Sequence, residues 1–129
     1  MATQRVISII DDDASVREAT ARLIRSLGYQ AAMFSSAEEY LRSDRLTDSS
    51  CLITDLNMPG MNGVDLQNRL IAAGYRTPMI FMTAYFEQKV RDRVMDAGAS
   101  GFLRKPFEEK SLIECLDRAL NESEAGKTL

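Results

Sequence analysis

Five short apolar segments alternate along this chain with segments in which apolar residues recur at helical spacing. The short segments span residues 5–10, 31–34, 51–54, 79–83 and 101–104. Several of them are too apolar for a sheet with one face in water, which is typical of strands buried on both sides. Strands that alternate with helices form a parallel sheet, and right-handed crossovers place the helices over its faces. The pattern predicts an α/β fold, a doubly wound five-stranded parallel sheet with five helices.

The segments between the strands carry the marks of helices. In the first, Val16, Ala19 and Leu23 recur at helical spacing and Gly28 follows as a stop signal. In “SSAEEYLRS”, serines precede glutamates, which is typical of a helix N-terminus. Three further stripes predict the remaining helices: Leu66 with Leu70, Val90 with Val94, and Leu112 with Leu116, Ala119 and Leu120.

A single folded domain accounts for the whole pattern. The chain has 129 residues, of which 45% are hydrophobic and 27% are charged, enough for one buried core. We expect this domain to cover residues 1–121. The periodicity is lost in residues 122–129, which are predicted to be a polar tail or the start of a linker.

Charge and hydropathy exclude several classes of partner. The net charge is −3 and the pI is about 5.0, which argues against direct nucleic-acid binding by this segment. The apolar start of the chain is cut short by three acids and is too short for a signal peptide or a membrane span. We expect a cytoplasmic protein with no membrane contact.

The chain contains no histidine, which removes a class of mechanisms. Ser-His-Asp and Cys-His arrangements and histidine metal ligands are excluded. Cys51 and Cys115 lie in apolar segments without CxxC spacing, so they are predicted to be buried free thiols. Any chemistry must use carboxylates, hydroxyl groups, lysine or a metal.

Polar residues follow four of the five predicted strands at their carboxyl ends. In a doubly wound sheet these ends share one edge, where ligands bind. Each residue alone has an ordinary explanation, since turns favour Asp and Thr. Together they predict a functional cluster, which consists of Asp11, Asp12 and Asp13 after the first strand, Asp55 after the third, Thr83 after the fourth and Lys105 after the fifth.

The charges of this cluster indicate its chemistry. Carboxylates held close together repel one another unless a cation neutralises them, and Mg²⁺ is commonly bound by one or two carboxylates together with a phosphate oxygen. Lys105 would supply a positive charge and Thr83 a hydroxyl group for a phosphoryl group. Asp55 is then left as a nucleophile that can form an aspartyl phosphate.

Four motifs resemble the response regulator receiver domain in order and spacing. “IIDDDASVR”, “LITDLNMPGMNG”, “IFMTA” and “GASGFLRKPF” match its acid pair, phosphoacceptor loop, hydroxyl position and lysine-proline motif over residues 4–121. “TDLNMPGMNG” and “KPFE” are similar to the FixJ-type receivers of this family. The resemblance implies a flavodoxin-like sheet of order 2-1-3-4-5. It also implies a two-component signalling protein in which a partner sensor histidine kinase phosphorylates Asp55.

The resemblance implies a metal site at matching positions. Asp12, Asp55 and the backbone carbonyl of Asn57 would bind Mg²⁺ or Mn²⁺ directly, and Asp11 would act through a metal-bound water. The chain would be a signalling receiver and not an enzyme acting on a separate substrate, although it would catalyse its own metal-dependent phosphorylation and dephosphorylation.

The same resemblance assigns the phosphoryl-binding residues. Thr83 and Lys105 would contact the phosphoryl group, and the peptide bond between Lys105 and Pro106 would be cis, aiming the lysine. Phe102 would be the switch aromatic that turns inward on activation, with ordinary core packing as its structural alternative.

Two further residues would tune hydrolysis, and one surface would signal. Asn57 and Tyr85 would flank the path of the water that removes the phosphoryl group. The surface of the fourth helix and fifth strand would change on phosphorylation and control homodimerisation or an output domain beyond residue 129, expected to be transcriptional.

Two other functional classes compete with this interpretation. A haloacid-dehalogenase-type phosphatase also forms an aspartyl phosphate, and “DDDAS” offers a DxD, but that mechanism needs its nucleophile in the first Asp cluster and a larger chain. A purely structural flavodoxin-like domain would have no reason to gather Asp12, Asp55, Thr83 and Lys105. Metal dependence distinguishes the second alternative from a receiver.

Overall fold

The computed structural model describes the backbone of residues 5–128 and the side chains of residues 5–121. Its strands and helices match the predicted ones in number and order. The strands are β1 (Val6–Ile10), β2 (Gln30–Phe34), β3 (Ser49–Asp55), β4 (Met79–Thr83) and β5 (Gly101–Arg104). The helices are α1 (Ala14–Ser26), α2 (Ala37–Leu41), α3 (Gly63–Ala72), α4 (Gln88–Asp96) and α5 (Glu109–Thr128), with a 3₁₀ turn at Asp44–Leu46.

The five strands form one parallel sheet in the order β2-β1-β3-β4-β5, which confirms the predicted topology. In the centre, Ile9 of β1 lies opposite Met33 on one side and Ile53 on the other. The strand order reverses between β1 and β3, so the crevice at their carboxyl ends is the place where a sheet of this kind binds ligands.

Each face of the sheet has its own apolar core, because alternate residues of a strand point to opposite faces. One core packs against α1 and α5, and its fully buried members include Ile7, Ile9, Ile53, Ile80, Ile24 and Leu112. The other packs against α2, α3 and α4, and its fully buried members include Ile10, Leu52, Phe81, Tyr40, Leu66 and Val94. Burial on both faces explains the nearly continuous apolar sequence of the strands.

Cys51 and Cys115 are buried free thiols in the first of these cores, as predicted. Burial raises the pKa of the Cys51 thiol to about 12. A thiol with such a pKa is protonated at neutral pH and is a poor nucleophile. Cys51 is therefore a core residue and not a reactive one.

The last helix extends further than its apolar stripe. Residues 122–129 were expected to be a polar tail or linker, and the backbone of α5 is helical through Thr128. The side chains of residues 122–129 lie outside the described part of the chain, so the role of this segment stays a prediction. Among the described residues, the structure contains no helix that is long and apolar enough to span a membrane.

Candidate functional site

The carboxyl edge of the sheet brings three acidic side chains together. Asp11 and Asp12 follow β1, and Asp55 is the last residue of β3, the neighbouring strand. One carboxylate oxygen from each of the three lies within 4.8 Å of those of the other two. Asp11 and Asp55 are buried and Asp12 is exposed, so the cluster has one open side.

Lys105, which follows β5, places its ammonium group between two of these acids. Its Nζ donates a hydrogen bond to Oδ2 of Asp11 at 2.8 Å and lies 3.3 Å from Oδ2 of Asp55. Burial alone would lower the pKa of Lys105, but the hydrogen bond to Asp11 and the charges of both acids raise it above its usual value. Lys105 is therefore a fixed positive charge at the site.

Asp55 is held in a dry and crowded position. Asp55 is 7% exposed, and burial raises the pKa of its carboxyl group above the usual range. The positive charge of Lys105 opposes this rise, and the negative charge of Asp11 adds to it. The backbone behind it is equally confined, because a Cβ on Gly63 would lie 3.0 Å from the Asp55 carbonyl oxygen. Glycine at position 63 lets α3 begin directly against the end of β3.

The turn after β1 is fixed by hydrogen bonds that sequence reasoning missed. Oδ1 of Asp11 accepts from the backbone N–H of Asp13 at 2.9 Å, and the Arg17 guanidinium donates to the Asp11 carbonyl oxygen at 2.6 Å. The Asp13 carboxylate caps α1 by accepting from the N–H groups of Ser15 and Val16. The acid-rich turn was a usable signal for the cap, but nothing in the sequence pointed to Arg17.

Thr83, the last residue of β4, has its hydroxyl group fully engaged. The oxygen accepts from Asn57 Nδ2 at 2.9 Å and from the Tyr85 N–H at 3.0 Å, and the hydroxyl donates to the Tyr85 carbonyl at 3.1 Å. A hydroxyl group has one donor and two acceptor positions, and all three are used. The contact with the Asn57 amide was not predicted, because Asn57 was expected to bind the metal through its backbone carbonyl and to flank the path of the hydrolytic water, not to contact Thr83.

The other residues predicted for the site lie in or directly after β5. The peptide bond between Lys105 and Pro106 is cis. Phe102 in β5 is partly buried, and its ring meets the edge of Phe86 with the centroids 5.9 Å apart. Arg104 lies over the same Phe86 ring, 5.1 Å from its centroid. This stack connects the segment after Thr83 to strand β5.

The cluster suits a hard divalent cation. Three carboxylates lie together and one ammonium group, that of Lys105, contacts two of them, so negative charge remains unbalanced among these residues. Carboxylate and carbonyl oxygens favour Mg²⁺ and Mn²⁺ over metals that prefer nitrogen or sulfur ligands. The exposed side of Asp12 leaves room for water ligands, which Mg²⁺ usually keeps.

Comparison of the sequence with known proteins identifies the family of this chain. The chain matches the family described as response regulator receiver domain over residues 7–117. The response regulator protein TmoT of Ectopseudomonas mendocina is 38% identical over 117 residues, 91% of this chain and 53% of TmoT. The transcriptional regulatory protein FixJ of Azorhizobium caulinodans is 34% identical over 117 residues, 91% of this chain and 56% of FixJ.

Solved structures give the same result for the fold. The crystal structure of FixJ-N is similar with a TM-score of 0.82 at 33% identity, and the match covers 93% of this chain and 96% of that one. The chain spans about half the length of the curated relatives it matches.

Proposed function

Because this chain belongs to the response regulator receiver domain family of two-component systems, and to its FixJ type, we propose that it accepts a phosphoryl group on Asp55 with Mg²⁺. The observation that carries the proposal is the buried Asp55 carboxylate, gathered with those of Asp11 and Asp12 and contacted by Lys105. A carboxylate with a raised pKa is more basic and so a better nucleophile than one in water.

The proposed reaction is a phosphoryl transfer from a histidine kinase. An Asp55 carboxylate oxygen forms a bond to phosphorus while the bond between phosphorus and the donor imidazole nitrogen breaks. The electron pair of that bond stays on the imidazole, which takes up a proton as it leaves. Lys105 exchanges its contact with Asp55 for a phosphoryl oxygen and stabilises the negative charge there. The donor histidine comes from a partner, since this chain has none.

Four residues form the proposed metal site. Asp12, Asp55 and the backbone carbonyl of Asn57 would bind Mg²⁺ or Mn²⁺ directly, and Asp11 would contribute through a water. A cation bound there would supply positive charge to balance the phosphoryl oxygens. The close approach of the carboxylates of Asp11, Asp12 and Asp55 supports this assignment.

Phosphorylation would be coupled to the surface of α4 and β5 through Thr83. To donate to a phosphoryl oxygen, the Thr83 hydroxyl must give up the Tyr85 carbonyl, because its one proton is already engaged there. The segment after β4 would then move inward and leave space for Phe102 to turn toward the core. Tyr85 and Asn57 would set the rate at which water reaches the phosphoryl group.

The remaining proposals concern the protein as a whole. We propose a receiver domain over residues 1–121, a polar segment at 122–129 that leads toward a transcriptional output domain, and a homodimer that forms on phosphorylation. Support comes from the curated relatives: the matched region is 53% of TmoT and 56% of FixJ, and FixJ is named as a transcriptional regulatory protein. We further propose that the chain acts in the cytoplasm as a signalling domain and not as an enzyme with a separate substrate.

Small-molecule phosphorylation tests the proposed function. Incubation with acetyl phosphate and Mg²⁺ should add one phosphoryl group to the wild-type chain, measured as intact mass. The Asp55→Asn variant, which keeps the shape of the side chain, should gain none, and EDTA should abolish the gain in wild type. Undiminished labelling of Asp55→Asn would contradict the assignment.

A further inference from the structure

Glu38, in the first turn of α2, reaches away from its helix to the loop between β3 and α3. Its Oε2 accepts a hydrogen bond from the backbone N–H of Met61 at 3.2 Å. Its Oε1 is buried and has no hydrogen-bond partner among the described residues. A carboxylate turned inward gives up hydration. The next residue, Glu39, is exposed and bonds Ser35 instead.

Gly60 shows how closely the loop surrounds this carboxylate. Its backbone φ is +75°, in the left-handed region that favours glycine. A Cβ at position 60 would lie 2.7 Å from Oε2 of Glu38, closer than non-bonded atoms approach. The Gly60 backbone therefore lies directly against the Glu38 carboxylate, and a side chain at position 60 would displace that carboxylate.

The loop that Glu38 contacts is the one that carries Asn57. Its ends are joined by a hydrogen bond from the Gly63 N–H to the Leu56 carbonyl at 2.9 Å. The Glu38 contact lies between these ends, at Met61, and ties the loop to a different helix. Glu38 thus contacts the same loop that contains Asn57, at a point four residues further along the chain.

The hydrogen bond from the Met61 N–H to Glu38 has a charged acceptor. Hydrogen bonds from its own backbone N–H and from that of Met61 lower the pKa of the Glu38 carboxyl group below its usual value, against the opposing effect of burial, and Arg42 lowers it further. A carboxylate accepts a stronger hydrogen bond from an N–H group than a neutral oxygen does. Glu38 therefore restrains the loop as an anion at neutral pH.

We propose that Glu38 is a positioning residue for the metal site, which it acts on by holding the loop that presents the Asn57 carbonyl. This inference rests on the proposed function, because it requires Mg²⁺ to bind at Asp12, Asp55 and Asn57. Removing residues that orient metal ligands without touching the metal typically weakens metal affinity by about 10- to 100-fold. Glu38 acts on one ligand of the site, so Glu38→Ala should weaken Mg²⁺ binding by about tenfold.

The test is calorimetric titration of the full chain with MgCl₂, in wild type, Glu38→Ala, Glu38→Gln and Glu39→Ala. Glu39→Ala is the matched control, because it removes a carboxylate from the same helical turn without touching the loop. We expect wild-type affinity in Glu39→Ala, about a tenfold loss in Glu38→Ala and a smaller loss in Glu38→Gln, which keeps an uncharged acceptor oxygen.

A rate measurement separates positioning from loss of folded protein. In Glu38→Ala, the rate of phosphorylation by acetyl phosphate should return to the wild-type value at saturating Mg²⁺, because affinity is what the variant lacks. A partly unfolded variant would be slower at every Mg²⁺ concentration. If thermal unfolding shows that Glu38→Ala does not fold, Glu38→Gln takes its place. A loss of Mg²⁺ affinity in Glu38→Gln no larger than that in Glu39→Ala would then contradict the inference.

Two outcomes would overturn the inference and leave the proposed function standing. One is equal Mg²⁺ affinity in Glu38→Ala and wild type, and the other is an equal loss in Glu38→Ala and Glu39→Ala. Failure of the wild-type chain to bind Mg²⁺ would instead overturn the proposed function, and the role of Glu38 with it.

Discussion

The Asp55 carboxylate is ionised at a cost to the metal-free fold. Burial and the neighbouring Asp11 raise its pKa above the ordinary value of 3.8, although Lys105 opposes them. Between the ordinary pKa and the folded one, the folded chain binds more protons than the unfolded chain does. The free energy of unfolding therefore falls as pH rises through this window, and the loss persists at higher pH.

Asp55→Asn should therefore stabilise the metal-free chain at neutral pH. The amide does not titrate and relieves repulsion with Asp11 and Asp12, while Lys105 keeps its bond to Asp11. We expect a gain of about 1 kcal/mol in the free energy of unfolding, within the range common for stabilising substitutions. The gain should disappear below the ordinary pKa of 3.8. Urea unfolding with EDTA at several pH values measures it, and a less stable variant at neutral pH would contradict this account.

Tyr85 should control how long the phosphoryl group lasts. Its backbone is held on Thr83 by two hydrogen bonds, while the residue is 75% exposed. If this large ring lies over the site, as we propose, it would obstruct the path of a hydrolytic water. We expect Tyr85→Ala to speed dephosphorylation severalfold and Tyr85→Phe, which keeps the ring, to leave the rate unchanged. Decay of the phosphorylated mass after removal of the donor measures this, and an equal or slower rate in Tyr85→Ala would refute it.

Among the elements, the strands were the most predictable. β4 was predicted at residues 79–83 and spans Met79–Thr83, because a strand buried on both faces is apolar throughout. The short α2 was predictable through its cap, since Ser36 accepts from the Glu39 N–H. The end of α5 was not, because a helical backbone needs no apolar stripe to continue through Thr128.

The candidate site was predictable as far as topology determines it. Parallel strands share a carboxyl edge, so Asp55 and Lys105 were expected at the same edge of the sheet, and the long Lys105 side chain spans the width of β4 between them. The contacts that set their surroundings could not be foreseen. The Asn57 amide contacts Thr83, and Glu38 contacts Met61, in each case between different loops or elements. Such contacts depend on side-chain rotamers and loop conformations, which the hydrophobic periodicity of a sequence does not determine.

The α4 and β5 surface should respond to a phosphoryl mimic through Phe102. Full burial of an aromatic side chain is worth roughly 1.5 to 3 kcal/mol. Part of this is already gained, because Phe102 is partly buried against Phe86. We expect beryllofluoride to shift the amide signals of residues 84–104 in wild type and to shift fewer of them in Phe102→Ala. Unchanged signals in wild type would refute the switch. Equal shifts in wild type and Phe102→Ala would show that Phe102 does not carry the coupling, which would then depend on Thr83 alone.

At the scale of the whole molecule, the proposed phosphorylation site and the proposed signalling surface lie at different places on one sheet. The acid cluster lies at the crevice between β1 and β3, and β5 is two strands away at the edge of the sheet. A ligand shifts a conformational equilibrium only through contacts that differ between the two states. In the proposed switch, the contact that differs is the bond from the Thr83 hydroxyl to the Tyr85 carbonyl.

Self-association should follow the same switch. We expect beryllofluoride with Mg²⁺ to raise the weight-average mass of the wild-type chain in sedimentation velocity, because the rearranged α4 and β5 surface would bind a second copy. Phe102→Ala should show a smaller increase. A wild-type chain that stays monomeric with the mimic bound would contradict the proposed homodimer.

Direct location of the phosphoryl group tests the central claim. Borohydride reduces an aspartyl phosphate to homoserine and leaves free carboxylates unchanged, so treatment after acetyl phosphate and Mg²⁺ marks the acceptor permanently. Peptide mass spectrometry should then find homoserine at position 55, with Asp11, Asp12 and Asp13 intact, and no homoserine when EDTA replaces Mg²⁺. Homoserine at position 11, 12 or 13 in place of position 55 would contradict the account.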